Sequence, residues 1–163
     1  MMGITVKLAQ ESDKQYLVKW LSEPGILRWF PMITEREVDD AATCWMGYVK
    51  MNAVWMVEYD GVPCGIANLY LHSVKKLMHQ SLFAVIVAKD YRNKGVGTVL
   101  LNEVMRQAKE RFRIEVLHLE VYEGNPAKNL YERLGFVEYG FHERFLKEPD
   151  GSYLGKYFMQ KFL

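Results

Sequence analysis

Cysteine is nearly absent: Cys44 and Cys64 are the only two. They form no Cys-x-x-Cys pair and no zinc-ligand spacing, which argues against a disulfide-stapled or zinc-held fold and leaves two reduced core thiols as the expectation. No apolar run reaches the roughly 18 residues that a membrane-spanning helix needs. The stretch from Met1 to Lys7 has no apolar segment of signal-peptide length. Lys7 stands where a myristoylation signal read from Gly3 would need Ser or Thr. A cytoplasmic protein with no membrane partner is therefore expected. Charge of one sign is lacking too. The net charge is +1 and the basic residues form no stripe, so a nucleic-acid partner held through phosphates is not expected. Repeats, low-complexity tracts and Ser/Gly linkers are also missing, and residues 1–163 read as one domain.

What is present suits a compact soluble domain. Half of the 163 residues are hydrophobic and 25% are charged, enough to bury a core without staples. Ile4–Leu8 reads as a first strand and residues 11–22 as a helix with Tyr16, Leu17, Trp20 and Leu21 on one face. An aromatic loop from Ile26 to Pro31 follows the break at Pro24-Gly25. Thr34 and Glu37 make a capping box for a helix expected to reach Lys50. Strands at Ala53–Tyr59 and Val62–His72 flank Asp60-Gly61, a two-residue hairpin signal. Ser81–Val87 is nearly all apolar, as a central strand buried on both faces would be. A helix from Thr98 to about Arg111, a strand at Ile114–Tyr122, a short helix at Pro126–Leu134 and a final hairpin complete the chain. The order β-α-α-β-β-β-α-β-α-β-β implies a mixed sheet with helices on its faces, not a doubly wound fold.

The segment from Arg92 to Thr98, Arg-Asn-Lys-Gly-Val-Gly-Thr, lies between a buried strand and an amphipathic helix. A helix start offers unpaired N–H groups and the positive end of the dipole, and glycines let the backbone come close to an anion. Arg92 and Lys94 add charge. A P-loop would need a lysine before Thr98, where Gly97 stands, and a dinucleotide fingerprint would need a glycine where Leu100 stands. ATP, GTP and NAD are each disfavoured by one missing residue. A glycine turn with no ligand remains open.

A second segment, Asn125-Pro126-Ala127 followed by Leu130-Tyr131-Glu132 and Gly135-Phe136, lies a strand further on. Together the two segments resemble the pyrophosphate motif and the Asn-Pro-Ala…Leu-Tyr-Glu-x-x-Gly-Phe motif of the GCN5-related N-acetyltransferase (GNAT) superfamily. The resemblance implies an α+β fold. Its centre is a mixed, mostly antiparallel sheet of about seven strands, with a splayed parallel pair and helices on both faces. It implies acetyl-CoA as co-substrate and no metal. Pantetheine would pair with backbone around Val85, Ile86 and Val87. The N–H groups of Arg92, Asn93, Lys94, Gly95, Val96 and Gly97, with Thr98, would hold the pyrophosphate. Asn125 would lie near the pantetheine arm and Asn129 near the cofactor's other polar groups, and Tyr131 matches the tyrosine that protonates the leaving thiolate.

The chemistry sets its own requirements. An alkylamine is mostly protonated at neutral pH, so a base or a water relay must free its lone pair. The oxyanion needs a donor, for which the Val87 N–H is a candidate. Glu120, in a Leu-Glu-Val context resembling some ribosomal-protein N-terminal acetyltransferases, is the leading base; a solvated strand carboxylate is the bland alternative. The spacing from Asn125 to Tyr131 is one residue shorter than in those relatives. Glu58, His79 and a water chain stay open, while His118 and His142 read as sheet residues.

The resemblance implies a primary amine as acceptor: a protein N-terminus or lysine, a polyamine, an amino sugar or another small amine. Trp29 and Phe30, together with Glu120 and Tyr122 of the Ile114–Tyr122 strand, are the expected acceptor contacts, although the two loop aromatics serve equally as core staples. Residues 1–82 carry nine acidic and eight basic side chains, so no strong preference for a polycation is written there. Val18, Trp20-Leu21 and Phe30-Pro31, with the closing Asp150-Gly151-Ser152-Tyr153 and Met159, look like the subgroup of ribosomal-protein, polyamine and amino-sugar acetyltransferases. The final hairpin leaves a homodimer open. A coenzyme-A-binding sensor without turnover is the alternative to an enzyme.

Overall fold

The computed structural model describes residues 3–163; Met1 and Met2, and the readings made on them, lie outside the described residues. Seven strands form one sheet in the order β1-β2-β3-β4-β5-β7-β6. They are β1 (Ile4–Leu8), β2 (Val54–Tyr59), β3 (Val62–Leu71), β4 (Gln80–Val87), β5 (Val116–Tyr122), β6 (Val137–Lys147) and β7 (Tyr153–Phe162). Every neighbouring pair is antiparallel except β4 with β5. The helices are α1 (Lys14–Leu21), α2 (Glu35–Met46), α3 (Val96–Glu110) and α4 (Ala127–Arg133). The fold is therefore α+β with a mixed, mostly antiparallel sheet.

Local chemistry explains several boundaries. The Thr34 hydroxyl accepts the Glu37 N–H at 3.1 Å and the Glu37 carboxylate accepts the Thr34 N–H at 3.0 Å, so α2 opens with both halves of the capping box. Asp60 and Gly61 take φ of 50° and 81°, the left-handed pair that closes a tight hairpin. The helix expected to reach Lys50 instead ends at Met46. Gly47 is a poor helix residue, and the chain turns through a 3-10 segment, Val49–Met51, into left-handed Asn52. Of the two expected core thiols only Cys64 is buried; Cys44 is exposed. It lies off the buried stripe of α2, which is Val38, Ala42, Trp45 and Met46.

Strand register assigns the two faces. Trp55 lies opposite Ala67, Ala67 opposite Val85, and Leu69 opposite Phe83. Trp55 meets Phe112 edge-on at 6.4 Å, just beyond α3, and Phe83 meets Tyr131 of α4 at 6.1 Å. Those residues therefore share the α3/α4 face. Asn68 and Tyr70 take the other face: Asn68 donates to the Trp45 carbonyl of α2, and Tyr70 meets Tyr48 edge-on at 5.4 Å. Tyr70 pairs with Leu82 and Leu82 with His118, so alternation puts His118, Glu120 and Tyr122 on that α1/α2 face. β4 is only partly buried on both faces: Ser81, Phe83 and Ile86 are buried, while Leu82, Ala84, Val85 and Val87 are half-buried.

Candidate active site

The parallel pair comes apart. β4 and β5 are in register only at Gln80–Val116, Ser81–Leu117 and Leu82–His118. Beyond Leu82, β4 stays paired with β3 as far as Val87, and β5 stays paired with β7 as far as Tyr122. From Phe83 and Leu119 onward, the edges that face each other therefore have no strand between them. The closed end is pinned by the His79 carbonyl, which accepts the Glu115 and Val116 N–H groups at 2.7 and 3.1 Å. At the start of the gap the buried Asn68 side chain intervenes. Its oxygen accepts the Ala84 N–H at 3.1 Å and its amide donates to the Trp45 carbonyl at 3.3 Å. Open backbone edges are a template for a ligand that carries amides.

The glycine loop follows the open end of β4. Asn93 and Gly95 are left-handed, with φ of 59° and 80°, and Gly95 caps α3. Helix α3 begins at Val96, two residues before the expected Thr98. The first intrahelical bond runs from the Val99 N–H to the Gly95 carbonyl, which leaves the N–H groups of Val96, Gly97 and Thr98 as unpaired first-turn donors. Gly97 is inside that turn for a packing reason. A methyl group there would stand 3.1 Å from Leu130 Cδ2 of α4 and 3.8 Å from Val87 Cγ2. The basic residues turn back onto the protein: Arg92 Nε donates to the Val87 carbonyl at 3.2 Å, and Lys94 sits over the Tyr91 and Tyr59 rings at 5.3 and 5.6 Å. The helix start itself thus carries the anion-binding potential.

Beside the gap on the α3/α4 face, Tyr131 is buried between Phe83 and Phe136. Burial pushes its hydroxyl well above the ordinary tyrosine range, so it keeps its proton. Asn125 accepts the Ala127 N–H at 3.0 Å and so starts α4; its amide hydrogens stay available. Asn129 is exposed on α4.

Across the gap on the α1/α2 face stands Glu120. Its Oε2 meets Lys156 Nζ of β7 at 2.8 Å. Lys156 is among the few buried charged residues and sits 3.7 Å from the Phe145 ring centre, 5.7 Å from Tyr122 and 5.8 Å from Phe158. His118 lies two residues before Glu120, with Nε2 buried and unpartnered, and burial lowers its pKa. Trp29 reaches Gly124 at the end of β5, where a Cβ would meet its ring at 3.8 Å. With Arg28, Glu123 and the Glu148–Leu154 turn it lines a cavity of about 570 Å³. Phe30 instead packs against the core.

Glu120 and Tyr122 thus share one face of β5, Trp29 lies past the end of that strand against Gly124, and Tyr131 stands on the opposite face of the gap. Glu58 is placed elsewhere, on β2 in an ion pair with Lys7, and exposed His79 lies at the closed end. Among the described residues no group of three or more His, Cys, Asp or Glu could hold a metal. No helix among them is long and apolar enough to cross a membrane. Lys156 and Asn68 were not singled out by the sequence. Their partners are set by strand register, and neither lies in a motif.

Comparison with known proteins gives the family and the fold. The model of the acetyltransferase (GNAT) family matches residues 8–136. An N-alpha-acetyltransferase of Sulfurisphaera tokodaii is 33% identical over 113 residues, which is 63% of this chain and 66% of that protein, just under two thirds of its length. A ribosomal-protein-alanine N-acetyltransferase from Brucella melitensis is 25% identical, with TM-score 0.82 over 98% of this chain and 99% of that one. The structure of yncA from Salmonella typhimurium, solved with its cofactor acetyl-CoA, is 21% identical. It shares the fold with TM-score 0.82 over 99% of this chain and 94% of that one.

Proposed function

The chain belongs to the acetyltransferase (GNAT) family, and from that premise we propose that it transfers the acetyl group of acetyl-CoA to a primary amine by direct attack in a ternary complex. The observation that carries this reading is the gap between β4 and β5, opening beside a helix start with three free N–H groups. An extended amide chain would complete the strand edges around Val85–Val87, and a pyrophosphate would sit on the first turn of α3. The protein is taken as one cytoplasmic domain.

The two faces of the gap then divide the labour. Glu120 stands on the α1/α2 face, where it takes the proton of the attacking amine. The Val87 N–H, or a neighbour on the same edge, offers a hydrogen bond to the oxyanion. Tyr131 approaches from the α3/α4 face. Its raised affinity for its proton suits a hydrogen-bond donor to the departing sulfur. The sulfur, buried at the same place, would have its own proton affinity raised as well.

The names of the relatives favour an N-terminal α-amine as acceptor, entering past Trp29 and the β6–β7 turn. A thiol-release assay tests the reading with acetyl-CoA and a panel of alanine-terminated peptide, polyamine and amino sugar. Release with the peptide is expected; no binding of acetyl-CoA would overturn the reading. One observation favours a coenzyme-A sensor instead, namely that Glu120 is already ion-paired. Binding without turnover of any amine would select it.

A further inference from the structure

The base assigned above is not alone. Glu120 is on β5 with its side chain about one-third exposed, while its partner Lys156 on β7 is 10% exposed. A strand carboxylate that open to water ordinarily samples several rotamers, and a surface ion pair would restrain it little. Here the cation is itself restrained. Lys156 has rings on several sides, with Phe145 at 3.7 Å, and its ammonium meets one carboxylate oxygen, Oε2. The rings attract the ammonium through their faces and exclude water from it. The other oxygen, Oε1, has no protein partner among the described residues.

We propose that Lys156 is a positioning residue for Glu120: caged by Tyr122, Phe145 and Phe158, it holds one carboxylate oxygen and presents the other to the acceptor amine. The proposal rests on the reading of Glu120 as the base and adds what makes that base usable. A lone carboxylate beside a gap closed by a ligand would lose hydration with nothing to compensate it; the caged ammonium supplies that compensation inside the protein. It also explains why a lysine, rather than an apolar residue, fills an aromatic site on an inward-facing strand position.

The experiment is a double-mutant cycle read by steady-state kinetics with the best acceptor from the panel. Lys156→Met, which fits an apolar cage, is expected to lower kcat by about 10- to 100-fold, leaving the KM for acetyl-CoA unchanged. Lys156→Arg should restore most of the loss. In the Glu120→Gln background Lys156→Met should change kcat by less than about two-fold, because the residue acts through Glu120. Phe145→Leu removes one cage wall and no charge. It should lower kcat by roughly three-fold in the native background and not in Glu120→Gln, which keeps the test intact if Lys156→Met does not fold. Equal losses in both backgrounds, or a fully active Lys156→Met, would overturn the proposal. A fully active Glu120→Gln would instead remove the base assignment beneath it.

Discussion

The Asn68 side-chain oxygen accepts the Ala84 N–H at 3.1 Å, two residues beyond the last rung that joins β4 to β5. The same amide group donates to the Trp45 carbonyl at 3.3 Å. One buried residue thus ties the departing strand to the last turn of α2 just where the gap begins. Asn68→Leu would leave both backbone groups unsatisfied. It is expected to cost about 3 kcal/mol and to lower Tm by roughly 6–12 °C. A thermal melt with and without acetyl-CoA checks this, and the ligand-induced rise in Tm should shrink in the variant.

The two glycines of the α3 cap should fail differently. Gly95 has φ of 80°, and a Cβ there would meet only Ile4 Cδ1, at an ordinary 4.0 Å, so Gly95→Ala costs about 1 kcal/mol of backbone strain. Gly97→Val puts branched carbon against Leu130 and Val87 and pushes α3 away from α4. Titration calorimetry should show acetyl-CoA affinity falling at least about 10-fold in Gly97→Val, with a smaller loss in Gly95→Ala. Equal affinity in all three proteins would remove the loop from the cofactor site.

Tyr131 separates catalysis from stability. Its ring is packed, but its hydroxyl has no hydrogen-bond partner among the described residues. Tyr131→Phe keeps the packing, so Tm should move by no more than a degree or so. The lost hydrogen bond to a charged sulfur should lower kcat by about 10- to 100-fold. A large fall in Tm with unchanged kcat would assign the residue to the core alone.

His118 predicts how acid affects the fold. Burial lowers its pKa, Glu120 partly opposes this, and His72 adds to the lowering. The folded state therefore prefers neutral imidazole, while the unfolded chain takes up a proton near the ordinary pKa of about 6.5. The resulting stability is complete above that value and is lost as pH falls through the lower folded value. Tm measured from pH 8 to pH 5 should fall less steeply in His118→Gln than in the native protein. Parallel curves would show that another group controls the acid response.

Features with a local cause were legible in the sequence. The Thr34–Glu37 capping box, the Asp60-Gly61 turn and the glycine loop all depend on neighbours within a few residues, and each stands where it was expected. The sequence places the start of α3 two residues late because Gly97 reads as a boundary, whereas it serves the close approach of α4. Residue type alone places Cys44 in the core, although the apolar stripe of α2 passes it by. The Glu120–Lys156 pair was beyond reach for a different reason. It exists only once β7 pairs with β5 in one register, and a shift of one residue would turn Lys156 to the other face. The gap between β4 and β5 leaves no mark on residue type at all, since it consists of backbone edges.

That gap is the centre of the account, and backbone hydrogen exchange on addition of acetyl-CoA examines it directly. The amides of Val85 and Val87, which strand alternation turns away from β3 and into the gap, and those of Val96, Gly97 and Thr98 should become protected together, with β1 and β2 unchanged. Binding that protects neither segment, or no binding at all, would contradict the account.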